Sequence, residues 1–169
     1  MRILVILPFT LLALGCGSSS DNATNTQSSP PAQEATSEAN EAPAAADVTL
    51  VLNAGDELKF DKEEFRVPEG QEVTLTLNHT GQMAKEGMGH NFVLLKQGTD
   101  VADFATRAVD ARENDYIPEG SDDVIVHTEL LGGGESDTIT FPAPPPGTYD
   151  FICSFPGHYA LMQGKFIVE

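Results

Sequence analysis

Positive charge is scarce in this 169-residue chain: nine Lys and Arg face 26 Asp and Glu, a formal net charge of −17. Such a polyanion does not hold nucleic acid through its phosphates, because that binding rests on Lys and Arg displacing counterions. Acidity of this degree suits a basic partner, or simply keeps an exported domain soluble. Cysteine is almost missing. Only Cys16 and Cys153 occur, and each sits in a pattern that gives it another use, so no disulfide framework is expected. Histidine is limited to His79, His90, His127 and His158, which bounds the number of imidazole metal sites. The chain also has no apolar run long enough to cross a bilayer. The run Ile3 to Leu14 falls well short of the ~20 residues a spanning helix needs.

That short run follows a single basic residue, Arg2, and reads as a secretory signal over residues 1–15. The A-L-G-C that closes it, then Gly17 and three serines, resembles a bacterial lipoprotein cleavage site, with Cys16 as the lipidated N-terminus. Ala13 stands where such sites usually have Leu. An ordinary signal peptide with Cys16 incidental is the other reading. From Gly17 to Ala46 the composition is Ser, Ala, Asn, Thr, Gln, Glu and Pro with one Gly and one Asp, and no aromatic or large aliphatic residue, so the stretch cannot bury a core. Residues 16–46 are therefore expected to be a polar tether. As a flexible chain it would span roughly 30 Å, from about 5 to 6 Å times the square root of its length.

Residues 47–169 remain for one globular domain with a sizeable core. They carry eight Lys and Arg against 22 Asp and Glu, a net −14. Short runs bounded by turn residues predict an all-β sandwich. In E-V-T-L-T-L-N-H, Val73, Leu75, Leu77 and His79 share one parity and should face the core. Tyr149, Phe151 and Cys153 alternate likewise, sending the thiol inward at a strand's end. Further strands are predicted at Val48 to Leu52, Asn91 to Leu95, Val124 to His127, Thr138 to Phe141 and Lys165 to Val168. One helix interrupts them, capped by Thr99 or Asp100, with Val101, Phe104, Ala105 and Ala108 at helical spacing.

The chemistry concentrates in C-S-F-P-G-H-Y-A-L-M, from Cys153 to Met162. One loop supplies a thiolate, an imidazole and a thioether. Two His and one Cys in a trigonal set with a weak axial Met suit copper, since soft sulfur favours Cu(I) while imidazole serves Cu(II) as well. The second His is expected to be His90 in G-M-G-H-N-F-V-L, where glycines allow close backbone approach and an apolar strand follows. Pro156 and Gly157 stiffen the turn between Cys153 and His158, and Pro156 removes one N–H near the sulfur. Met83 and Met88 flank the first His and read as core filling.

The motifs M-G-H-N-F-V-L, V-I-V-H-T-E-L-L-G-G-G-E and F-I-C-S-F-P-G-H-Y-A-L-M resemble the azurin group of cupredoxins, including lipid-anchored auracyanin-type members. The resemblance covers roughly residues 47–169. It implies a cupredoxin-type Greek-key β-sandwich with one helical flap, holding one copper through His90, Cys153, His158 and Met162, with a weak contact from the Gly89 carbonyl. It further implies that Asn91, with Ser154, bridges the two ligand loops. Redox partners would dock on an apolar patch of Leu58, Met83, Phe155, Gly157, Ala160 and Leu161. The chain departs from the family in lacking an N-terminal disulfide, in Tyr159 where a small residue is common, and in Phe92 where many members have Trp. Partner choice is what the last two put in question.

The function expected is one-electron transfer between redox partners outside the cytoplasm, by a monomer tethered to a bacterial membrane. A copper storage or delivery module without redox cycling is the alternative. Catalysis is not expected. A Cys–His nucleophilic dyad lacks an orienting base and an oxyanion loop, and too few His remain for the additional copper sets of an oxidase. His79 is expected to be a satisfied core histidine, although the resemblance implies it could titrate with redox state, and His127 a surface residue. Glu135 is expected on a turn away from the ligand loops.

Overall fold

A computed structural model describes residues 47–169. The leader, Cys16 and the tether lie outside the described residues. Eight strands form two sheets: β1 (Val48–Ala54), β2 (Glu64–Val67), β3 (Glu72–His79), β4 (Val93–Leu95), β5 (Val124–His127), β6 (Ser136–Pro142), β7 (Gly147–Ile152) and β8 (Gln163–Val168). One sheet has the order β1-β3-β6 and the other β2-β8-β7-β4-β5. β1 runs parallel to β3, and β2 parallel to β8, while the other pairs are antiparallel. This is the all-β cupredoxin sandwich, with a helical flap, that the motifs implied.

Period-two alternation builds the core. In β3 the residues Val73, Leu75, Leu77 and His79 all turn inward and are buried, as their shared parity requires. They meet residues of the second sheet, and Phe141 of β6 packs against Phe166 of β8 with ring centroids 5.9 Å apart. All three residues of β4 are buried, so both faces of that strand are covered. The flap helix α2 (Val101–Ala108) supplies Phe104 and Ala108 to the same core cluster. Asp100 is its cap, accepting from the N–H groups of Ala102 and Asp103. A 3-10 turn at Val109–Asn114 continues the flap, and Arg107, paired within the helix to Asp103, ties it to Asp123 just before β5.

Two elements were not foreseen. β2 is short, and two of its four residues are charged and exposed, because it is an edge strand whose sole ladder partner is β8. The single-turn helix α1 (Lys85–Met88) buries nothing, so it leaves no apolar periodicity to read. Glu135 also corrects an expectation. It follows the Gly132–Gly134 turn, pairs with Lys85, and so borders the loop of Met83 rather than standing apart from it.

Phe151 is the hub of the aromatic core, with ring centroids 5.7 Å from Phe60, 5.7 Å from Phe65 and 5.3 Å from Phe92. Its cross-strand partner is Gly164, where an added Cβ would fall 2.3 Å from the Phe151 ring. The glycine exists to make room. Phe151→Ala should therefore cost about 3 to 5 kcal/mol in urea unfolding of the metal-free protein, and Gly164→Ala should also destabilise it, whereas Thr140→Ala on the outer face should change stability by less than about 1 kcal/mol.

Candidate metal centre

The hairpin of β7 and β8 carries the Cys153–Met162 loop at its tip. Ile152 pairs with Gln163 as the last ladder step, and the Cys153 N–H donates to the Met162 carbonyl at 2.9 Å. The ends of the loop are thereby pinned together. Between them the chain makes two tight turns: the His158 N–H reaches Phe155 O at 3.0 Å, and the Met162 N–H reaches His158 O at 2.8 Å. Gly157 adopts φ +81°, a left-handed conformation that suits glycine. The result is a buried Cys153 and Met162, with His158 retaining 5 % exposure.

His90 arrives from the other side. Its N–H and carbonyl exchange bonds with Leu131 at 3.0 and 2.8 Å, which fixes the backbone just before β4. A side chain at Gly89 would collide with Lys85 O at 2.6 Å, so glycine is what lets the chain pass, and the Gly89 carbonyl ends 3.8 Å from Cys153 Sγ. His90 Nε2 donates to the Gly55 carbonyl at 2.7 Å. That bond leaves Nδ1 with a free lone pair facing the thiol.

Cys153 Sγ lies 3.9 Å from His90 Nδ1 and 3.6 Å from His158 Nδ1, and all three atoms are within 4.8 Å of one another. Metal–sulfur and metal–nitrogen bonds of about 2.3 and 2.05 Å at trigonal angles would put sulfur and nitrogen about 3.8 Å apart. The cluster thus already has the spacing of a mononuclear site. Two imidazoles, a thiol and a buried thioether on the same loop form a donor set that fits copper.

Neighbours lock this arrangement. Asn91 Nδ2 donates to Ser154 Oγ at 2.8 Å and to the Asp115 carbonyl at 3.0 Å, while its Oδ1 accepts the Ser154 N–H at 2.9 Å. Asn91 and Ser154 therefore join the His90 and Cys153 loops. His79 stacks on His90 at 4.6 Å. Its Nδ1 accepts from the Gly81 N–H and its Nε2 donates to Met88 O, the pattern of a satisfied core histidine. His127 is exposed and outside the cluster. Two groups escaped sequence reasoning. The Gly55 carbonyl aims His90, and Asp56 beside it takes the N–H groups of Gln82 and Met83, which holds its carboxyl below the usual range. Neither leaves a motif, because a glycine followed by an acid looks like any turn.

The residues expected to form the apolar docking patch differ in exposure. Leu58, Met83 and Leu161 are 36, 44 and 66 % exposed, and Gly157 and Ala160 are also exposed. Phe155 differs from expectation: it is only 9 % exposed, wedged between Tyr116 and His158 at centroid distances of 5.1 and 4.5 Å. It supports the His158 ring from behind rather than offering surface.

A family model described as copper binding proteins, plastocyanin/azurin family, matches residues 46–169. Azurin of Achromobacter denitrificans is 39% identical over 125 residues, spanning 71% of this chain and 83% of its own length. Outer membrane protein H.8 of Neisseria gonorrhoeae is 39% identical over 124 residues, 72% of this chain and 67% of its own. Among solved structures, dithionite-reduced auracyanin from Roseiflexus castenholzii superposes with a TM-score of 0.66 at 41% identity, covering 74% of this chain and 98% of that one.

Burial sets the protonation of the metal-free site. Desolvation pushes the Cys153 thiol from 9.0 up to about 12, against the pull of the Asn91 and Phe155 N–H groups, and lowers His158 from 6.5 to about 4, helped by repulsion from His90. A raised thiol pKa contributes stability that is present below 9.0 and lost as pH climbs to about 12; a lowered imidazole pKa contributes stability present above 6.5 and lost as pH falls to about 4. The melting temperature of the metal-free protein should therefore be highest between these windows and drop on both sides. His158→Gln should flatten the acid limb.

Proposed function

The chain belongs to the plastocyanin/azurin family of copper-binding proteins, and from that footing we propose that it is a blue copper electron-transfer protein whose single copper would be held by His90, Cys153 and His158, with weaker contributions from Met162 and the Gly89 carbonyl. The observation that carries this reading is the buried thiol–imidazole trio at metal-binding spacing. Copper bound there supplies a one-electron couple. Cys153 gives up its thiol proton on loading, and Asn91, Gly55 and Leu131 hold the surrounding groups still. Little motion between oxidation states means little reorganisation opposing the electron. A storage or delivery module calls for groups that let go easily; here each is fixed from behind, which favours redox cycling.

His158 is the proposed exit. Its Nε2 makes no hydrogen bond among the described residues, and the residue stands in a turn whose Gly157 and Ala160 are exposed. Leu58, Met83, Gly157, Ala160 and Leu161 are the proposed docking surface for redox partners, with Phe155 beneath it. The flanking charges balance: Lys59 pairs with Glu57 and Lys85 with Glu135. The proposed docking surface is thus apolar within a domain of net −14, with the Asp56 carboxylate beside Met83.

The short apolar run after Arg2, the A-L-G-C that ends at Cys16 and the polar composition up to Ala46 support the reading of a leader over residues 1–15, lipidation at Cys16 and a tether over residues 16–46, which would make the 47–169 cupredoxin domain an exported, membrane-tethered protein, taken here as a monomer. The relative named as an outer membrane protein agrees with that placement. Cys16→Ser should release the protein in soluble form, and wild type should carry an acyl mass; membrane retention of the variant would refute lipid anchoring.

Copper titration followed by optical and EPR spectroscopy tests the centre. Wild type should take up one Cu(II) with an intense visible band, Cys153→Ser should abolish the band, and Met162→Leu should keep it with a shifted potential. Equal loss in both variants would refute the assignment. For the exit, Ala160→Glu should slow exchange with partners while leaving the spectrum intact, since a charge at a desolvated contact is costly. Glu72→Gln, at the opposite end of β3, should matter only slightly and mainly at low salt.

A further inference from the structure

The end of the flap makes an unusual bend. Asp115 and Tyr116 are consecutive non-glycine residues with φ of +52° and +61°, a left-handed conformation that neither residue adopts without cost. The surroundings enforce it. The N–H groups of both residues converge on the Ala111 carbonyl, and Asn114 Nδ2 donates to Ile117 O at 2.7 Å across the bend. Asp115 and Tyr116 are the only positive-φ residues among the described residues that are not glycine.

What the bend touches explains why it is kept. The Asp115 carbonyl accepts from Asn91 Nδ2, the same nitrogen that donates to Ser154. Asp115 Oδ2 accepts the Leu130 N–H at 3.2 Å, next to Leu131, which fixes His90, and Leu130 packs over Gly89. Tyr116 is 8 % exposed and meets Phe155 edge-on at 5.1 Å and 70°; Phe155 in turn backs His158 at 4.5 Å. A single two-residue bend therefore reaches both copper-binding loops through three separate contacts. No side chain of the bend touches the three metal-binding groups themselves.

The geometry points to Asp115 and Tyr116 as positioning residues for electron transfer: the flap is a clamp that fixes the angle between the two loops and the orientation of the His158 ring at the exit. This rests on the blue copper reading above. The flap thereby acquires a role beyond covering the sheet. Loosening the clamp should leave copper bound but let the His158 ring and the Cys153 loop shift between oxidation states, which raises the cost of each electron transfer. The Tyr116 hydroxyl makes no hydrogen bond among the described residues, so the edge of the ring is the part that matters. At Asp115 the left-handed backbone is essential, and Asn tolerates that conformation whereas a β-branched residue does not.

The test is electron self-exchange, in which a reduced copy passes one electron to an oxidised copy, measured by NMR line broadening on the copper-loaded protein. Tyr116→Ala should lower the rate about tenfold, within the range that a misplacement of about 1 Å can produce, and should alter the EPR hyperfine splitting. Tyr116→Phe should match wild type. Asp115→Val should act like Tyr116→Ala, and Asp115→Asn like wild type. Phe141→Leu, in the core on β6 opposite Val73 at the far end of β3, controls for simple loss of stability and should leave rate and spectrum unchanged. Should Tyr116→Ala fail to fold, Tyr116→Leu keeps the bulk without the ring edge and should still slow exchange. Wild-type rates and spectra in Tyr116→Ala or Tyr116→Leu together with Asp115→Val would overturn the clamp. A wild type that binds no copper or gives no blue band would instead overturn the blue copper reading itself.

Discussion

Keeping a thiol and two imidazoles together in a dry pocket is the constraint on which this structure turns. Each group loses hydration when buried, and the thiol and His158 respond by resisting charge: the first holds its proton up to about 12 and the second stays neutral down to about 4. Three neutral, lone-pair-bearing groups at 3.6 to 3.9 Å from the sulfur, counting the Gly89 carbonyl, make a pocket prepared for a thiophilic cation. No disulfide braces it among the described residues. Rigidity comes instead from the hairpin of β7 and β8, the His90–Leu131 bridge and the Asn91–Ser154 pair, each anchored in the sheets.

That division of labour explains why so much was legible in the sequence. Cys153, His158 and Met162 stand on one short loop, so their spacing is local and survives as a motif. His90 could be found because glycines and an apolar strand frame it. The β3 alternation placed His79 inside, and Asp100 announced the helix start. What escaped was long-range or carried by the backbone. The Gly55 carbonyl, 35 positions before His90, acts through an atom every residue has. The Asp115–Tyr116 bend is a conformation that only tertiary contacts impose. β2 is half charged because an edge strand shows one face to water, and Phe155, which the family resemblance places on the docking patch, packs its ring inward on Tyr116 instead.

Charge is arranged around the same end. Within a domain of net −14, Lys59 pairs with Glu57 and Lys85 with Glu135, while the Asp56 carboxylate is held by the Gln82 and Met83 N–H groups. On the proposed docking reading, contact at the exposed Leu58, Met83 and Leu161 would rest on shape and desolvation, with any steering by the acidic domain weakened by salt. The flap shows Asp103, Asp110 and Glu113 to solvent, yet its inner side is devoted to the core and to the bend beneath Phe155. One element thus meets solvent on one side and holds the site on the other.

If the fold itself sets the site, loading with metal should change almost nothing. Crystal structures of the metal-free, Cu(II) and Cu(I) forms measure this directly. The expected result is that Cys153 Sγ and the Nδ1 atoms of His90 and His158 keep their positions to within about 0.5 Å across all three forms. Movement of the His158 ring or the Cys153–Met162 loop by well over 1 Å between forms, or a metal-free loop without order, would contradict it.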